Sequence, residues 1–363
     1  MQNKTGIITL DAAQNYGSVF QAVALCKYLN DYYEETEVIR FTPNFILKHK
    51  RYFQIKADSY TDALKSFLSC LVRFPYLLKK SSKFSDFRKK HIKYSAVRQI
   101  GIICDTSYKR YVLGSDQIWN LDLTSWDKNF FAPFHHDKST KCSYAASLGI
   151  TKLEERHEIF LKKYLDTFGL ISVREKVGCE EIQRLLPTKK ISNNIDPVFL
   201  QPVEFWEAMS SKRIHKKPYV LIYTFNHYKE AIKLARKYSD DIDILLVDDG
   251  LKSKGRGVIN IKGVGPKEFL SLIKNAELLL TDSFHGTAFA IIFGRQFGVY
   301  PFGDTSSRME NLLSMFGLEN QMIDEEFCFP YVDYSNVNEI ISNEQKKTAE
   351  YFDKFYKNSV EGK

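Results

Sequence analysis

The sequence has few cysteines, widely spaced, and lacks the local motifs of several common enzyme classes. Its six cysteines include no CxxC pair, so neither a disulfide framework nor a zinc cluster is indicated. It has no GxGxxG or Walker loop, no HExxH and no GxSxG, the usual marks of dinucleotide, NTP and metal sites and of a serine nucleophile. No stretch approaches the roughly 20 apolar residues that span a bilayer, and the N-terminus lacks a signal peptide's apolar run. We therefore expect a cytoplasmic protein without a bound metal or cofactor.

Positive charge is concentrated in one segment of the chain. The net charge is +8 over 363 residues, yet between Ile46 and Lys93 there are 13 Lys or Arg against three acids, a local excess of +10. Aromatic residues are interleaved with this charge. Such a segment attracts an anionic membrane surface, an anionic lipid-linked substrate or nucleic acid. The alternative is a solvated face of Lys-rich helices.

Short β-rich runs alternate with amphipathic helical stretches, a pattern that predicts parallel sheets flanked by helices. The length fits two domains of roughly 150 residues or more. We expect an α/β chain with two Rossmann-like parallel-sheet domains facing across a cleft, residues 1–198 and 199–363, divided near the Asp196-Pro197 pair. The first carries a basic helical insertion at about 46–100, in which Pro75 should end or kink a helix at 59–78. The second closes with a C-terminal helix.

In such sheets ligands bind at the carboxyl ends of the strands. After the first strand, Asn15 and Gly17 can form a tight turn that directs a helix N-terminus toward an anion, or an ordinary turn. A later strand ends at Ser115 and Asp116, which can bind sugar hydroxyls, and Asp116 can also accept a proton. The alternative is that one of the two residues caps a helix. Another strand ends at Arg174, which can clamp a carboxylate or phosphate, or simply pair with Glu175 or serve in packing.

The sharpest candidate is the run from Leu280 to Thr287. A buried strand ends there, Asp282 or Ser283 caps a helix, and His285 lies in its first turn beside Gly286. Backbone amides and the positive helix terminus favour a phosphate at this point, and a histidine beside it exchanges protons near neutral pH. The alternative is a structural histidine.

At these residues the chain resembles the polysaccharide pyruvyltransferase family. The motifs occur in order over about residues 6–29 and 111–318, and they are GIITLDAAQNYGSVFQAVAL, YVLGSDQIWN, SYAASLG, ISVREK, DPVFL, LLLTDSFHGTAFAIIFGRQFGVY and SSRMENLL. The resemblance implies a GT-B-like fold and phosphoenolpyruvate as donor, with Arg174 and His285 associated with it. Some members have an arginine where this chain has Ser283, and Arg308 is a candidate to supply that charge.

The resemblance also implies the reaction and its partners. We expect transfer of pyruvate from phosphoenolpyruvate to two sugar hydroxyls as a cyclic ketal, in capsular or exopolysaccharide biosynthesis of a bacterium. His285 is the predicted proton-transfer group, and Asp116 is predicted to bind or deprotonate the acceptor. For the basic segment we expect docking of a lipid-diphosphate-linked sugar at the inner membrane face, and no nucleic-acid partner.

Two rival functions stay open on the sequence alone. One is a GT-B glycosyltransferase that uses a nucleotide sugar, with Asp248, Asp249 and Lys252 as candidate contacts in the second domain. The other is a catalytically silent assembly protein of a polysaccharide pathway. Ser283 favours the silent protein, whereas the presence of Arg174 and His285 argues against it. Fold alone does not decide between these functions.

Overall fold

The computed structural model describes residues 2–49, 60–104, 107–150, 152–239, 241–250, 254–301 and 306–361. The strands in these ranges are β1 (Gln2–Ile8), β2 (Thr36–Val38), β3 (Phe41–Thr42), β4 (Gln99–Ile100), β5 (Tyr108–Asp116), β6 (Lys141–Ala146), β7 (Ile171–Val173), β8 (Ile191–Asn193), β9 (Tyr219–Tyr223), β10 (Asp243–Val247), β11 (Val258–Ile261), β12 (Leu278–Thr281) and β13 (Gln296–Val299). They build a sheet in the order β2-β1-β5-β6-β7-β8, a second in the order β11-β10-β9-β12-β13, and the small pair β3-β4.

Both large sheets are parallel throughout, and helices cover them. The helices are α1 (Tyr16–Tyr32), α2 (Asn44–His49), α3 (Tyr60–His91), α4 (Leu121–Thr124), α5 (Glu155–Leu165), α6 (Lys176–Leu185), α7 (Val203–Met209), α8 (Tyr228–Tyr238), α9 (Pro266–Lys274), α10 (Phe284–Ile292), α11 (Ser306–Phe316) and α12 (Val337–Glu361). The predicted α/β, GT-B-like architecture with two Rossmann-like sheets is confirmed. None of the helices in the described residues is both long and apolar enough to cross a membrane.

The basic insertion forms α3, which continues past Pro75 to His91 instead of ending at the proline. Burial explains the continuation, because Phe84 and Phe87 in the following turns are almost fully buried. Such burial offsets the roughly 3 kcal/mol that an interior proline costs a helix. Lys80 and Lys83 of the same turns reach acidic residues of the second sheet's loops and helices, at 2.9 Å and 2.6 Å. Part of the basic segment, residues 50–59, lies outside the described residues.

The C-terminal helix α12 packs against the first sheet, although its residues belong to the predicted second domain, residues 199–363. The Tyr351 hydroxyl donates to the Ser143 carbonyl at 2.6 Å, and the Tyr144 and Thr348 hydroxyls are 2.9 Å apart. The helix thus ties the end of the chain to the side of the molecule where the chain began. The predicted division at residues 198 and 199 lies between β8 and β9 and stays a prediction.

One apolar core joins the two sheets. Phe20 of α1 packs against Trp206 of α7 and Phe289 of α10, with ring centroids 5.6 Å and 4.9 Å away. The same cluster contains Val112 of the first sheet and Leu279 of the second. This shared core sets the carboxyl ends of the two sheets against each other.

Candidate functional site

His285 lies in the first turn of α10, directly after the buried strand β12. Ser283 is the N-cap residue, and its hydroxyl accepts a hydrogen bond from the Gly286 amide at 3.3 Å. Gly286 has no room for a side chain, because a Cβ there would come 2.8 Å from the Thr281 hydroxyl. Ser283 and Gly286 therefore build the helix start that presents His285 at the carboxyl edge of the second sheet.

Asp282 does not cap α10. Its carboxylate accepts hydrogen bonds from the backbone amides of Phe225 and Asn226, at 2.8 Å and 3.1 Å. It also lies 3.1 Å from Nδ1 of His227, whose ring stacks on Tyr300. Asp282 thus anchors the loop after β9, which shapes the cleft next to α10.

Gly17 lies in the first turn of α1 and touches the His285 ring from the opposite sheet. A Cβ at Gly17 would come 1.9 Å from Nδ1 of His285, a distance that real side chains do not show. Asn15 caps the same helix, since its side-chain oxygen accepts from the Ser18 amide at 3.2 Å. Asn15 therefore stabilises the helix start, whereas Gly17 allows the two carboxyl edges to meet at His285.

Asp196 connects these groups, although the sequence analysis marks it only as the residue before a proline and the first residue of the DPVFL motif, with no role in the site. Its Oδ2 lies 2.6 Å from Arg174 Nη1 and 3.6 Å from His285 Nε2. Burial alone would raise the pKa of Asp196, but His285 and Arg174 outweigh burial and hold that pKa below its ordinary value. The signal that points to Asp196 is its position just after β8, at the sheet edge where Arg174 follows β7.

Arg174 lies at the end of β7, as predicted, and only 3% of the residue is exposed. Its guanidinium covers the Phe284 ring at 4.1 Å from the centroid, and its Nε lies 3.3 Å from Glu175 Oε1. Burial lowers the pKa of Arg174, but Glu175, Asp196 and Asp116 together hold it above its ordinary value. The alternative pairing with Glu175 does occur, but as a buried contact and not on the surface.

Arg308 of α11 lines the same small cavity as Arg174, together with Glu175 and Asp196. Burial, followed by the nearby charge of Arg174, lowers the pKa of Arg308, while Glu175 and Asp116 act in the opposite sense. Two neighbouring guanidinium groups repel each other unless an anion lies between them. Glu175 and Asp196 offset part of this repulsion, and the two guanidinium groups lie together at the junction of the two sheets, where they suit a further anion.

The end of β5 lies beside this cluster. Asp116 Oδ2 accepts from the Ser18 hydroxyl at 2.5 Å, and the Asp116 backbone is left-handed with φ 70°. The fully buried Ser115 hydroxyl donates to the Ala145 carbonyl at 2.7 Å and lies 3.5 Å from Asp196 Oδ2. The alternative that Ser115 or Asp116 caps a helix is wrong, since the strand runs through both and Asn120 caps the next helix.

Several buried polar atoms of this cluster have no hydrogen-bond partner among the described residues. They are Arg174 Nη2, Glu175 Oε2, His285 Nε2 and Arg308 Nε. Buried polar groups are nearly always paired, so these atoms mark places that a ligand or water completes. The guanidinium donors suit an anion with several oxygens, and the free carboxylate oxygen suits a hydroxyl donor.

Among the rival nucleotide-sugar contacts, Asp249 has another role, whereas Asp248 Oδ2 is buried and has no hydrogen-bond partner in the described residues. Asp249 pairs with Lys80 and accepts from the Gly263 amide at 2.8 Å. Asp248 lies 3.8 Å from Lys254, and Lys252 lies outside the described residues. No group of three or more His, Cys, Asp or Glu in the described ranges is placed to hold a metal ion.

Comparison with known proteins gives one family and a set of distant folds. No curated protein sequence matches the chain. The UDP-GlcNAc 2-epimerase from Methanocaldococcus jannaschii is 11% identical with a TM-score of 0.48, over 95% of this chain and 92% of that one. The UDP-GlcNAc 2-epimerase from Neisseria meningitidis, solved with UDP-GlcNAc, is 12% identical with a TM-score of 0.46, over 99% and 94%.

The family model described as polysaccharide pyruvyl transferase matches residues 15–301. The matched range includes Asn15, Asp116, Arg174, Asp196 and His285, whereas Arg308 lies beyond it. It spans most of the 363 residues, so the chain belongs to the polysaccharide pyruvyl transferase family.

Proposed function

We propose that the protein transfers pyruvate from phosphoenolpyruvate to two hydroxyls of a sugar, forming a cyclic ketal in capsular or exopolysaccharide biosynthesis. One observation carries the proposal. Arg174 and Arg308 have buried donor atoms without partners in a cavity that Asp196 also lines, and His285 lies 3.6 Å from the Asp196 carboxylate, where the two sheets meet. Phosphoenolpyruvate supplies a phosphate and a carboxylate, and both need such donors.

The proposed reaction moves protons in a defined order. A proton adds to the methylene carbon of phosphoenolpyruvate, which becomes a methyl group and leaves positive character on the neighbouring carbon. One sugar hydroxyl adds to that carbon and loses its proton, the carbon–oxygen bond to phosphate breaks, and the second hydroxyl closes the ring. Two protons leave the hydroxyls, one replaces the proton taken up by the methylene, and the other departs with phosphate. His285 is the group we assign to the first transfer.

Asp116 is the proposed contact for the acceptor. Its carboxylate lies at the end of β5, held by the Ser18 hydroxyl, and its charge acts on both Arg174 and Arg308. A carboxylate so placed can accept a hydroxyl proton while the guanidinium groups hold the donor. Glu175 Oε2 is a second acceptor atom in reach of the same cavity.

Arg308 is the proposed replacement for the arginine that some members have at the position of Ser283. It shares a cavity with Arg174, and Ser283 acts as a helix cap. Arg308→Met should weaken phosphoenolpyruvate binding at least tenfold. Adding Ser283→Arg to that variant should restore part of the affinity, because it places a guanidinium two residues before His285, next to Phe284 of the cavity lining. If Arg308→Met binds phosphoenolpyruvate normally, the replacement does not occur.

The acceptor is proposed to be linked to a lipid diphosphate at the inner membrane face. The support is the basic segment, of which the described outer face of α3 exposes Val72, Tyr76 and Lys79. Lys80, Lys83 and Arg88 contribute less, since they bind the rest of the protein. Co-sedimentation with vesicles of anionic lipid at low salt tests this, and an absence of binding excludes it.

Thermal unfolding with separate ligands is the test of the donor. A ligand that binds the folded protein raises its melting temperature by mass action. We expect a rise with phosphoenolpyruvate that is lost in Arg174→Lys and His285→Gln, and none with a panel of nucleotide sugars. A rise with a nucleotide sugar alone would replace the proposal by glycosyl transfer, and no rise with either would favour a silent assembly protein.

A further inference from the structure

We propose that Asp196 is a positioning residue, which holds His285 by Nε2 and Arg174 by Nη1 and so leaves Nδ1 of His285 to exchange protons. The consequence for turnover rests on the proposed function, whereas the proton position on the imidazole does not. Neither the strand pattern nor the family resemblance assigns this role to Asp196.

The two oxygens of the Asp196 carboxylate have separate tasks. Oδ1 accepts from the Val198 amide at 3.1 Å and so caps the short turn Pro197–Leu200, which fixes the plane of the carboxylate. Oδ2 is then directed at Arg174 Nη1, 2.6 Å away, and at His285 Nε2, 3.6 Å away. The side chain is fully buried, so no bulk water competes for these contacts.

Several neighbouring elements place polar or titratable groups around this carboxylate. The end of β5 brings Ser115 and Asp116, and the turn after β7 brings Arg174 and Glu175. The remaining groups are Tyr144 of β6, His285 of α10 and Arg308 of α11. Among them, His285 Nε2 is buried and lacks any other partner in the described residues. An N–H at Nε2 is therefore stabilised by Asp196, since the alternative leaves two acceptors facing each other.

The other ring nitrogen faces the start of α1. Nδ1 lies against Gly17, where a Cβ would come within 1.9 Å of it. The first amides of a helix point toward this place and attract an anion. With Nε2 protonated by default, Nδ1 is the atom that takes up or releases the catalytic proton next to a bound donor.

The test is nitrogen NMR of histidine-labelled protein at about pH 9, where an ordinary imidazole is neutral. Eight histidines contribute, and the spectrum of His285→Gln identifies the His285 signals. We expect the neutral His285 to carry its proton on Nε2 in the wild type and to lose that preference in Asp196→Asn. His157 is an internal reference for this tautomer, because its Nδ1 accepts from the Glu154 amide at 3.2 Å.

A second histidine–aspartate pair supplies the matched control. His157 Nε2 lies 3.3 Å from Asp122 Oδ2, outside the cleft. Asp122→Asn should leave the His285 signals and turnover unchanged, while Asp196→Asn should lower kcat at least tenfold.

Each outcome has a distinct meaning. A wild-type His285 protonated on Nδ1 overturns the proposal without any variant, and so does an Asp196→Asn spectrum identical to wild type. The expected tautomer, lost in Asp196→Asn along with turnover, supports it. If the tautomer behaves as expected but the wild type never consumes phosphoenolpyruvate, the proposed function fails and the positioning role stands.

Discussion

The two walls of the cleft differ in how their charged groups are held. On the first sheet's side, Arg174 is fixed by Asp196 and Glu175 and stacked on an aromatic ring. On the second sheet's side, His285 and Arg308 have buried nitrogens without partners in the described residues. The charges of the first wall are mostly paired with one another, although Arg174 Nη2 and Glu175 Oε2 lack partners in the described residues, whereas the groups of the second wall have fewer partners within the protein. The difference indicates that removing a charge from the first wall costs both stability and function, whereas removing one from the second costs mainly function.

The largest effect is expected on the second wall. His285→Gln should lower turnover of phosphoenolpyruvate by ~10²–10⁴-fold, the usual contribution of a proton-transfer group. Its melting temperature should fall only slightly, because the contact of His285 Nε2 with Asp196 is long, at 3.6 Å. Steady-state kinetics and thermal unfolding measure the two quantities. Turnover within a few-fold of wild type would remove His285 from the mechanism.

A matched pair of arginine variants compares the walls directly. Arg174→Met leaves two buried carboxylates without their cation, which should lower the free energy of unfolding by about 3–5 kcal/mol. Arg308→Met removes a cation from beside another cation, so its unfolding free energy should stay the same or rise. Urea unfolding of both variants is the measurement. Equal losses would mean that the walls do not differ as described.

Gly17→Ala inserts a methyl group between the walls. Its Cβ would displace the His285 ring, so turnover should fall by about 10–100-fold, while this overpacking should lower the free energy of unfolding by about 1–3 kcal/mol. Gly255→Ala is the control, because its Cβ would meet its nearest neighbours at an ordinary 3.4 Å. Normal turnover in Gly17→Ala would show that the contact with His285 has no functional role.

Acid unfolding tests the pairing on the first wall. The pKa of Asp196 lies below that of an unfolded aspartate, about 3.9, so the ionised group contributes stability above that pH. This contribution is lost as the pH falls through the lower, folded-state value. Asp196→Asn should therefore flatten the fall in unfolding free energy between about pH 4 and 2. If the unfolding free energy of Asp196→Asn falls with pH as steeply as that of the wild type, another group causes the acid sensitivity.

The smallest effect is expected where α3 bridges to the second sheet. Lys80 and Lys83 form partly exposed ion pairs, and each should contribute less than about 1 kcal/mol. Lys80→Met and Lys83→Met should lower the unfolding free energy slightly at low salt and hardly at all at 1 M salt. A large loss that salt does not affect would point to packing of the lysine stems instead.

The sequence predicted the residues at the strand ends well, because the end of a strand can be recognised from the local sequence alone. Arg174, Ser283 and His285 follow strands whose apolar runs are plain, and their placement at the two carboxyl edges agrees with that expectation. The role of Asp196 in the site was missed although it lies in the DPVFL motif, because β8 has three residues, only one of them buried, and was not recognised as the strand that precedes it. The roles of Gly17 and of Ser115 depend on contacts across the fold that no local pattern contains.

The extent of α3 shows the same limit. A proline is a strong local signal for the end of a helix, and the packing of Phe84 and Phe87 against α1 overrides it. Burial of such rings is a tertiary effect, and it outweighs the local cost of the proline. Local sequence patterns thus located most helices and strands, but they missed the continuation of α3, which depends on packing in the core.

The aromatic junction between the sheets has a consequence for how the molecule comes apart. Phe20, Trp206 and Phe289 each bury on the order of 150–250 Å², worth roughly 4–6 kcal/mol a ring at 25 cal/mol per Å². Exposing all three would cost about as much as the entire stability of an ordinary domain. We therefore expect the two halves to unfold together, as one cooperative unit.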